Sequence, residues 1–169
     1  MIKGTIIDLR SVTEDDIEWL RQSRNRYKEH FFTADEISKE QQKQWYEKYR
    51  DSAGKDYMFI IQLKDGTPIG TIALYNIAIA ERTAELGRVL LLEEFRGHGY
   101  AETAVKMVLG LAFEKMKLWK VKVSAHWDNL DAIAIYARSG FKTTTRPIIL
   151  LECINHDMDW KKPVVIEEL

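Results

Sequence analysis

The segment that most constrains the fold runs from Glu85 to Ala101 and reads ELGRVLLLEEFRGHGYA. Its continuous apolar run, residues 89–92, predicts a buried strand. A short loop with two glycines follows, and from Ala101 onward apolar residues recur at helical spacing. A strand, a glycine loop and a helix start in this order point several backbone N–H groups and the positive end of the helix dipole at one place. The segment therefore predicts a phosphate site.

Composition restricts the class of protein. The chain has 169 residues, of which 46% are hydrophobic and 30% charged, and this predicts one soluble domain spanning residues 1–169. The net charge of −1 argues against nucleic acid and anionic membranes as partners. The single cysteine, Cys153, cannot form an internal disulfide, and neither a signal-peptide core nor a membrane-spanning run is present in the sequence. We therefore expect a cytoplasmic protein.

The patterning predicts an alternation of strands and helices. Thr13 with Asp16, and Ser38 with Gln41, are capping signals that begin two helices. The predicted helices cover residues 14–25, 39–50, 101–117 and 130–139. The predicted strands cover residues 2–9, 57–63, 68–77, 84–92, 119–125, a strand from 141, and a closing pair at 148–152 and 164–167. This order favours a mixed, partly parallel sheet with helices on both faces.

Two motifs occur in a fixed order. The glycine loop fits Arg-x-x-Gly-x-Ala at Arg96, Gly99 and Ala101. Farther on, the segment NLDAIAIYARSGF fits Asn-x-x-Ala-x-x-x-Tyr-x-x-x-Gly-Phe, which begins at Asn129 and contains Tyr136. Together they resemble the pyrophosphate loop and the second signature of the GCN5-related N-acetyltransferase (GNAT) family. The likeness extends to Glu85-Leu86-Gly87 and to residues 9–16. It is greatest to the branch that includes ribosomal-protein N-terminal acetyltransferases and amino-sugar acetyltransferases.

The resemblance implies a GNAT-like α/β fold with a splayed central sheet, and acetyl-CoA as the co-substrate. Backbone groups of the central strand would hold the pantetheine arm, and the glycine loop would hold the pyrophosphate. Asn129 would contact the coenzyme as well as cap its helix. No metal is expected, because the four histidines are scattered. The expected coenzyme-binding residues are Val89, Leu90, Leu91, Arg96, Gly97, His98, Gly99, Tyr100, Ala101, Asn129 and Ala132.

Acetyl transfer to an amine needs a base for the amine and a proton for the departing thiolate. The resemblance implies that Tyr136 protonates the thiolate and that Glu85 deprotonates the amine. Simple packing is the alternative for Tyr136, and pairing with Arg82 or Arg88 is the alternative for Glu85. His126, at a strand end, is a second candidate base.

Strand alternation places Glu85 on the same face as Gly87, Val89 and Leu91. Along the helix after Asn129, a spacing of seven residues puts Tyr136 on the same helical face as Asn129. These two alignments define the expected catalytic side of the strand and of the helix.

The acceptor pocket of this fold is usually built by the first two helices and the closing strands. Basic and aromatic residues in these segments favour a small amine-bearing metabolite, a nucleotide-linked amino sugar first. A protein N-terminus is the alternative acceptor, and a non-catalytic coenzyme-A-binding sensor or subunit is the alternative of another class. A homodimer formed by the closing strands stays open. The expected acceptor-binding residues are Arg24, Asn25, His30, Phe31, Trp45 and His126.

Overall fold

The computed structural model describes residues 1–30, 35–52, 54–145, 149–154 and 165–166. Helix α1 spans Ile17–Arg26, α2 spans Lys39–Asp51, α3 spans Tyr100–Gly110 and α4 spans Leu130–Arg138. A π-helical turn, Leu111–Lys115, prolongs α3. The strands of the described residues are β1 Ile2–Lys3, β2 Ile7–Ser11, β3 Asp56–Leu63, β4 Pro68–Ala78, β5 Thr83–Leu91, β6 Lys120–Ala125, β7 Lys142–Thr145, β8 Ile149–Ile154 and β9 Val165–Ile166.

These strands form one mixed sheet in the order β7-β8-β6-β5-β4-β3-β2-β1-β9. Strands β5 and β6 run parallel, and the other pairings within the described residues are antiparallel. One apolar core packs α3 and α4 on the sheet, and a second packs α1 and α2 on its opposite face. The predicted fold class, a mixed sheet with helices on both faces, is confirmed.

Two predicted strand assignments are wrong. Residues 2–9 form two antiparallel strands, in which Ile2 faces Leu9 and the Gly4 N–H donates to the Ile7 carbonyl at 3.1 Å. The predicted closing strands do not pair with each other, since β8 lies between β6 and β7 whereas β9 pairs with β1 at the far edge. Apolar alternation identifies an extended segment but carries no information about its neighbour, which explains the second error.

A β-bulge divides β5 into two halves. Before it, Ala84 and Leu86 face the core under α3, and after it Val89 and Leu91 pack on that same core. The extra residue is Arg88, whose φ of 51° lies in the left-handed region. The expectation that Glu85 shares a face with Val89 and Leu91 is therefore wrong, because the bulge reverses the alternation between them.

The sheet opens between β5 and β6. Their parallel pairing runs from Thr83 opposite Lys120 to Leu86 opposite Val123, although β5 continues to Leu91. Beyond Val123, β6 continues to pair with β8. The splay expected from the sequence is confirmed, and it leaves the second half of β5 bordering a gap.

The start of α1 is fixed by the carboxylate of Asp16. It accepts two hydrogen bonds of 2.6 Å from the Arg10 guanidinium, and it also accepts from the Thr13 backbone N–H at 2.8 Å and the Thr13 hydroxyl at 2.9 Å. Although burial alone raises the pKa of Asp16, hydrogen bonds from Arg10 and Thr13 outweigh it and hold that pKa below its ordinary value.

Replacement of this carboxylate tests its contribution. Because the folded-state pKa is depressed, the stabilisation is present above the unfolded-state pKa of about 4 and is lost as pH falls through the folded-state value. We expect Asp16→Asn to lower the free energy of unfolding at pH 7 by about 1–3 kcal/mol and to flatten its decline in acid. Urea denaturation between pH 7 and pH 3 measures both effects. The control Asp15→Asn, at an exposed neighbour, should change stability by less than about 0.5 kcal/mol.

Candidate active site

The centre of the site is the bulge of β5. The Thr71 hydroxyl donates to the Arg88 carbonyl at 2.8 Å and so satisfies a backbone group that the bulge takes out of the ladder. The Tyr75 ring covers Gly87, where a Cβ atom would stand 2.9 Å from the tyrosine oxygen. A side chain at residue 87 would therefore displace Tyr75.

Tyr75 also contacts the candidate base. It lies directly opposite Glu85 across β4 and β5, and its hydroxyl interacts with that carboxylate. Burial raises the pKa of Tyr75, and the negative charge of Glu85 raises it further. The phenol therefore stays neutral and can donate to Glu85. The alternative that Glu85 pairs with an arginine is not favoured, because Arg82 donates to the Lys117 carbonyl at 2.8 Å and Arg88 donates to Asp56 at 2.8 Å.

Tyr136, the candidate acid, is 6% exposed and lies on α4 against Phe141, with the ring centroids 5.7 Å apart. Burial raises the pKa of its phenol well above the ordinary value, and Tyr75 adds to the shift. Glu85 thus acts on the pKa of Tyr75, and Tyr75 acts on that of Tyr136; these three residues are the polar array. No pattern along the sequence singled out Tyr75, because its place opposite Glu85 follows from the pairing of β4 with β5.

The glycine loop follows β5 and a 3₁₀ turn, Glu93–Phe95. Gly97 and Gly99 have φ values of 80° and 76°, and a Cβ at either position would meet no atom within 4 Å. The backbone conformation, not crowding, therefore requires glycine here. Helix α3 begins directly after Gly99, and the N–H groups of its first turn have no acceptor within the helix. The loop thus has the donors and the dipole that a pyrophosphate needs.

Side chains around the loop are held by local contacts. The Nδ1 atom of His98 lies 2.8 Å from the Arg96 carbonyl oxygen, and its ring stacks on Tyr100 at 5.6 Å. The Asn129 side chain accepts from the Ala132 N–H at 3.1 Å and caps α4. The capping role predicted for Asn129 is confirmed, whereas coenzyme contact by these residues stays a prediction.

A cavity of about 340 Å³ lies between α1, α2 and the sheet face that carries the bulge. Two of the expected acceptor-binding residues, Arg24 and Trp45, form part of its wall. Trp45 stacks on Tyr49 with the ring centroids 5.3 Å apart. Among the residues that the structure describes, those lining the cavity include no acidic residue and two arginines: Leu20, Arg24, Ile37, Gln41, Gln42, Trp45, Met58, Thr71, Arg88 and Leu90.

Asn25 and His126, two other expected acceptor residues, are not among these wall residues. The Asn25 side chain hydrogen-bonds the N–H and the carbonyl of Ile37, each at 2.8 Å, so it supports the cavity wall from behind. His126 follows β6, is exposed, and contacts the carboxylate of Asp128. His30 ends the 3₁₀ turn Lys28–His30, and Phe31 lies outside the described residues.

Neither a group of metal-binding side chains nor a membrane-spanning helix is found among the described residues. In residues 1–30, 35–52, 54–145, 149–154 and 165–166, no group of three or more histidine, cysteine, aspartate or glutamate side chains is placed to hold a metal ion. No helix in the same ranges is both long enough and apolar enough to cross a membrane.

Comparison with known proteins connects this geometry to a family. The family model described as "Acetyltransferase (GNAT) domain" matches residues 7–142. A curated Bacillus subtilis protein, "Putative ribosomal N-acetyltransferase YdaF", is 29% identical over 116 residues, which cover 68% of this chain and 61% of that protein. The chain thus spans less than two thirds of that relative's length, and 44% of the length of spermidine N(1)-acetyltransferases that it also matches.

Solved structures share the fold. Spermidine N-acetyltransferase from Vibrio cholerae, in complex with CoA and spermine, has a TM-score of 0.82 and 18% identity, and covers 89% of this chain and 96% of its own. Apo FdhC, a nucleotide-linked sugar GNAT, has a TM-score of 0.82 and 21% identity, and the match covers 92% of this chain and 90% of FdhC. At these identities the two likenesses establish the architecture only.

The left-handed glycine of the loop can be tested by substitution. An L-residue in this conformation costs about 1–2 kcal/mol, so Gly99→Ala should either strain the loop or shift its N–H groups. We expect the Kd for coenzyme A, measured by calorimetry, to rise by about tenfold. Gly66→Ala is the matched control, since Gly66 has a φ of 91° in the hairpin turn between β3 and β4. An equal loss of affinity in both variants would contradict a specific role for the loop.

Proposed function

Because the chain belongs to the GNAT family of acetyltransferases, we propose that it transfers the acetyl group of acetyl-CoA directly to a primary amine. The acceptor that we favour is a small anionic metabolite, a nucleotide-linked amino sugar first. One observation carries this choice: the described part of the wall of the cavity beside the bulge presents two arginines and no acidic residue.

The charge of the wall discriminates between acceptor classes. Two like charges 4 Å apart repel by about 4 kcal/mol near a protein surface, so the guanidinium groups of Arg24 and Arg88 oppose a polycation. Asp56 offsets part of the charge of Arg88. Burial lowers the pKa of Arg24 while nearby Asp35 opposes that effect, and the guanidinium stays protonated because its ordinary pKa is so high. A phosphate in the cavity would pair with this charge through two parallel hydrogen bonds.

Aromatic surface supports the same acceptor. Trp45 belongs to the cavity wall and is held from behind by the stacked ring of Tyr49. An aromatic ring whose orientation is fixed in this way is suited to pack on a planar base or on the apolar face of a sugar. The likeness to a nucleotide-linked sugar GNAT is consistent with this, although that likeness shows the fold alone.

Two other acceptors have specific support. The relative YdaF is named as a ribosomal N-acetyltransferase, which favours a protein N-terminus. A structural neighbour was solved with CoA and spermine, which favours a polyamine. The arginines of the wall oppose the polyamine, whereas a peptide whose N-terminal residues include an acidic side chain would satisfy them. The peptide is therefore the second candidate.

The chemical steps are assigned to the array described above. When bound, acetyl-CoA supplies the reactive thioester. Glu85 accepts the proton of the amine, directly or through water, and the phenol of Tyr75, directly across from it on β4, interacts with its carboxylate. Tyr136 carries its proton at neutral pH, as a phenol with the ordinary pKa of about 10 already does, and it delivers that proton to the departing sulfur. A non-catalytic coenzyme sensor would need the glycine loop but not this array.

An acceptor panel tests the substrate class. Thiol release from acetyl-CoA would be followed with nucleotide-linked amino sugars, spermidine, amino acids and short peptides. We expect turnover of the nucleotide-linked sugar, and a rise of about tenfold or more in its KM for Arg24→Gln, because a hydrogen bond to a charged group is lost. The control Lys43→Gln removes an exposed charge on α2 and should leave that KM unchanged. Turnover of spermidine alone would contradict the proposed acceptor.

The proton donor is tested by removing one hydroxyl. Tyr136→Phe should lower kcat by about a hundredfold and leave the Kd for coenzyme A unchanged, since general acid catalysis contributes at least that factor. Tyr57→Phe, at a half-buried tyrosine packed on the same core, is the control. An unchanged kcat in both variants would support the packing alternative for Tyr136. A thermal shift with acetyl-CoA but no turnover of any amine would support the sensor.

A further inference from the structure

Tyr27 connects two parts of the molecule that are far apart in sequence. It directly follows α1 and is 6% exposed. Its hydroxyl oxygen accepts a hydrogen bond of 3.0 Å from the backbone N–H of Glu93, in the turn that leads into the glycine loop. Its ring centroid lies 5.1 Å from the guanidinium carbon of Arg96, the first residue of that loop. A buried side chain at the end of α1 thus contacts the segment that carries the proposed phosphate site.

Arg96 is held from two sides. Its Nε atom donates to the Leu91 carbonyl, the last of β5, at 3.2 Å, while its guanidinium packs on the Tyr27 ring. The guanidinium of Arg26 lies 5.1 Å from the centroid of the same ring. Two positive charges therefore converge on one aromatic ring, and an anion bound at the loop would reduce their repulsion.

The other end of this connection is the acceptor cavity. Helix α1 contributes Leu20 and Arg24 to the wall, and Arg24 precedes Tyr27 by three residues, which is less than one helical turn. A side chain that holds the end of α1 against the turn before the glycine loop therefore also holds Arg24 in its position in the cavity wall. Movement of the loop and movement of this wall are mechanically linked through Tyr27.

We propose that Tyr27 is a positioning residue that couples the two substrate sites. It holds the turn before the glycine loop in the conformation that binds the coenzyme phosphates, and coenzyme binding in turn orders the last turn of α1 and with it Arg24. The proposal rests on the proposed function in two respects, which are that coenzyme A binds at the glycine loop and that the acceptor binds in the cavity.

The test removes the hydrogen bond from each of its ends. Tyr27→Phe deletes the acceptor and keeps the ring. Glu93→Pro deletes the donor N–H, and proline suits this first position of the 3₁₀ turn because the preceding Leu92 has φ −58° and ψ 142°. Each variant should raise the Kd for coenzyme A in calorimetry by about threefold to tenfold, and the double variant should be no worse than the weaker single one. Tyr27→Leu, which also removes the ring, should bind more weakly still.

A second readout reports the coupling itself. Addition of coenzyme A should slow hydrogen exchange at the amides of residues 20–26 in the unaltered protein, and this protection should be absent in Tyr27→Leu. The control is Tyr49→Phe, in which a tyrosine hydroxyl that accepts from the Met58 N–H at 3.3 Å is removed without touching the loop. That variant should keep both the affinity and the protection.

The outcomes separate this proposal from the one on which it rests. If all Tyr27 and Glu93 variants bind coenzyme A as tightly as the unaltered protein and keep the protection of α1, the positioning role is wrong while the proposed function stands. If the unaltered protein does not bind coenzyme A, the proposed function fails instead. Should Tyr27→Leu fail to fold, Tyr27→Phe and Glu93→Pro still decide, since both keep the ring in place.

Discussion

The site depends on the point at which the hydrogen-bond ladder between β5 and β6 ends. Pairing stops after Leu86 and Val123, although both strands continue. Backbone groups that a continuous sheet would consume thus face a gap at the end of the sheet where the glycine loop and α4 begin. These backbone groups are available to an extended, polar ligand without a separate binding loop.

The bulge adds a second constraint at the same place. By inserting Arg88 in a left-handed conformation, it turns the arginine and Leu90 toward the acceptor cavity while Val89 and Leu91 still pack on the core. Gly87 then leaves room for Tyr75, which is held between Glu85 and the guanidinium of Arg88, 4.6 Å from its ring centroid. The strained backbone of one residue therefore affects both features, because it shapes the cavity and places Arg88 against Tyr75.

Local signals in the sequence were sufficient to predict the glycine loop, the helix caps and the fold class. The structures at Gly99 and Ser38 are determined locally. Gly99 is left-handed directly before α3, and Ser38 caps α2 through hydrogen bonds with Gln41, three residues on. The bulge has no such signal, because the sequence of one strand does not show which of its residues the neighbouring strand leaves unpaired. Tyr75 was missed for a related reason: its importance arises from a cross-strand partner, and a pattern read along one strand does not contain that partner. The neighbours of β8 and β9 in the sheet were not predicted for the same reason, because neither strand's own sequence identifies its pairing partner.

Asn25 was expected to bind the acceptor, and acceptor contact by this residue stays a prediction. Its side chain hydrogen-bonds both backbone groups of Ile37, a residue of the cavity wall, and so ties that part of the wall to α1. A substitution at residue 25 would therefore reach the cavity through the backbone of Ile37. The shape of the wall then depends on an amide twelve residues earlier in the chain, and a mutation that alters ligand preference does not need to contact the ligand.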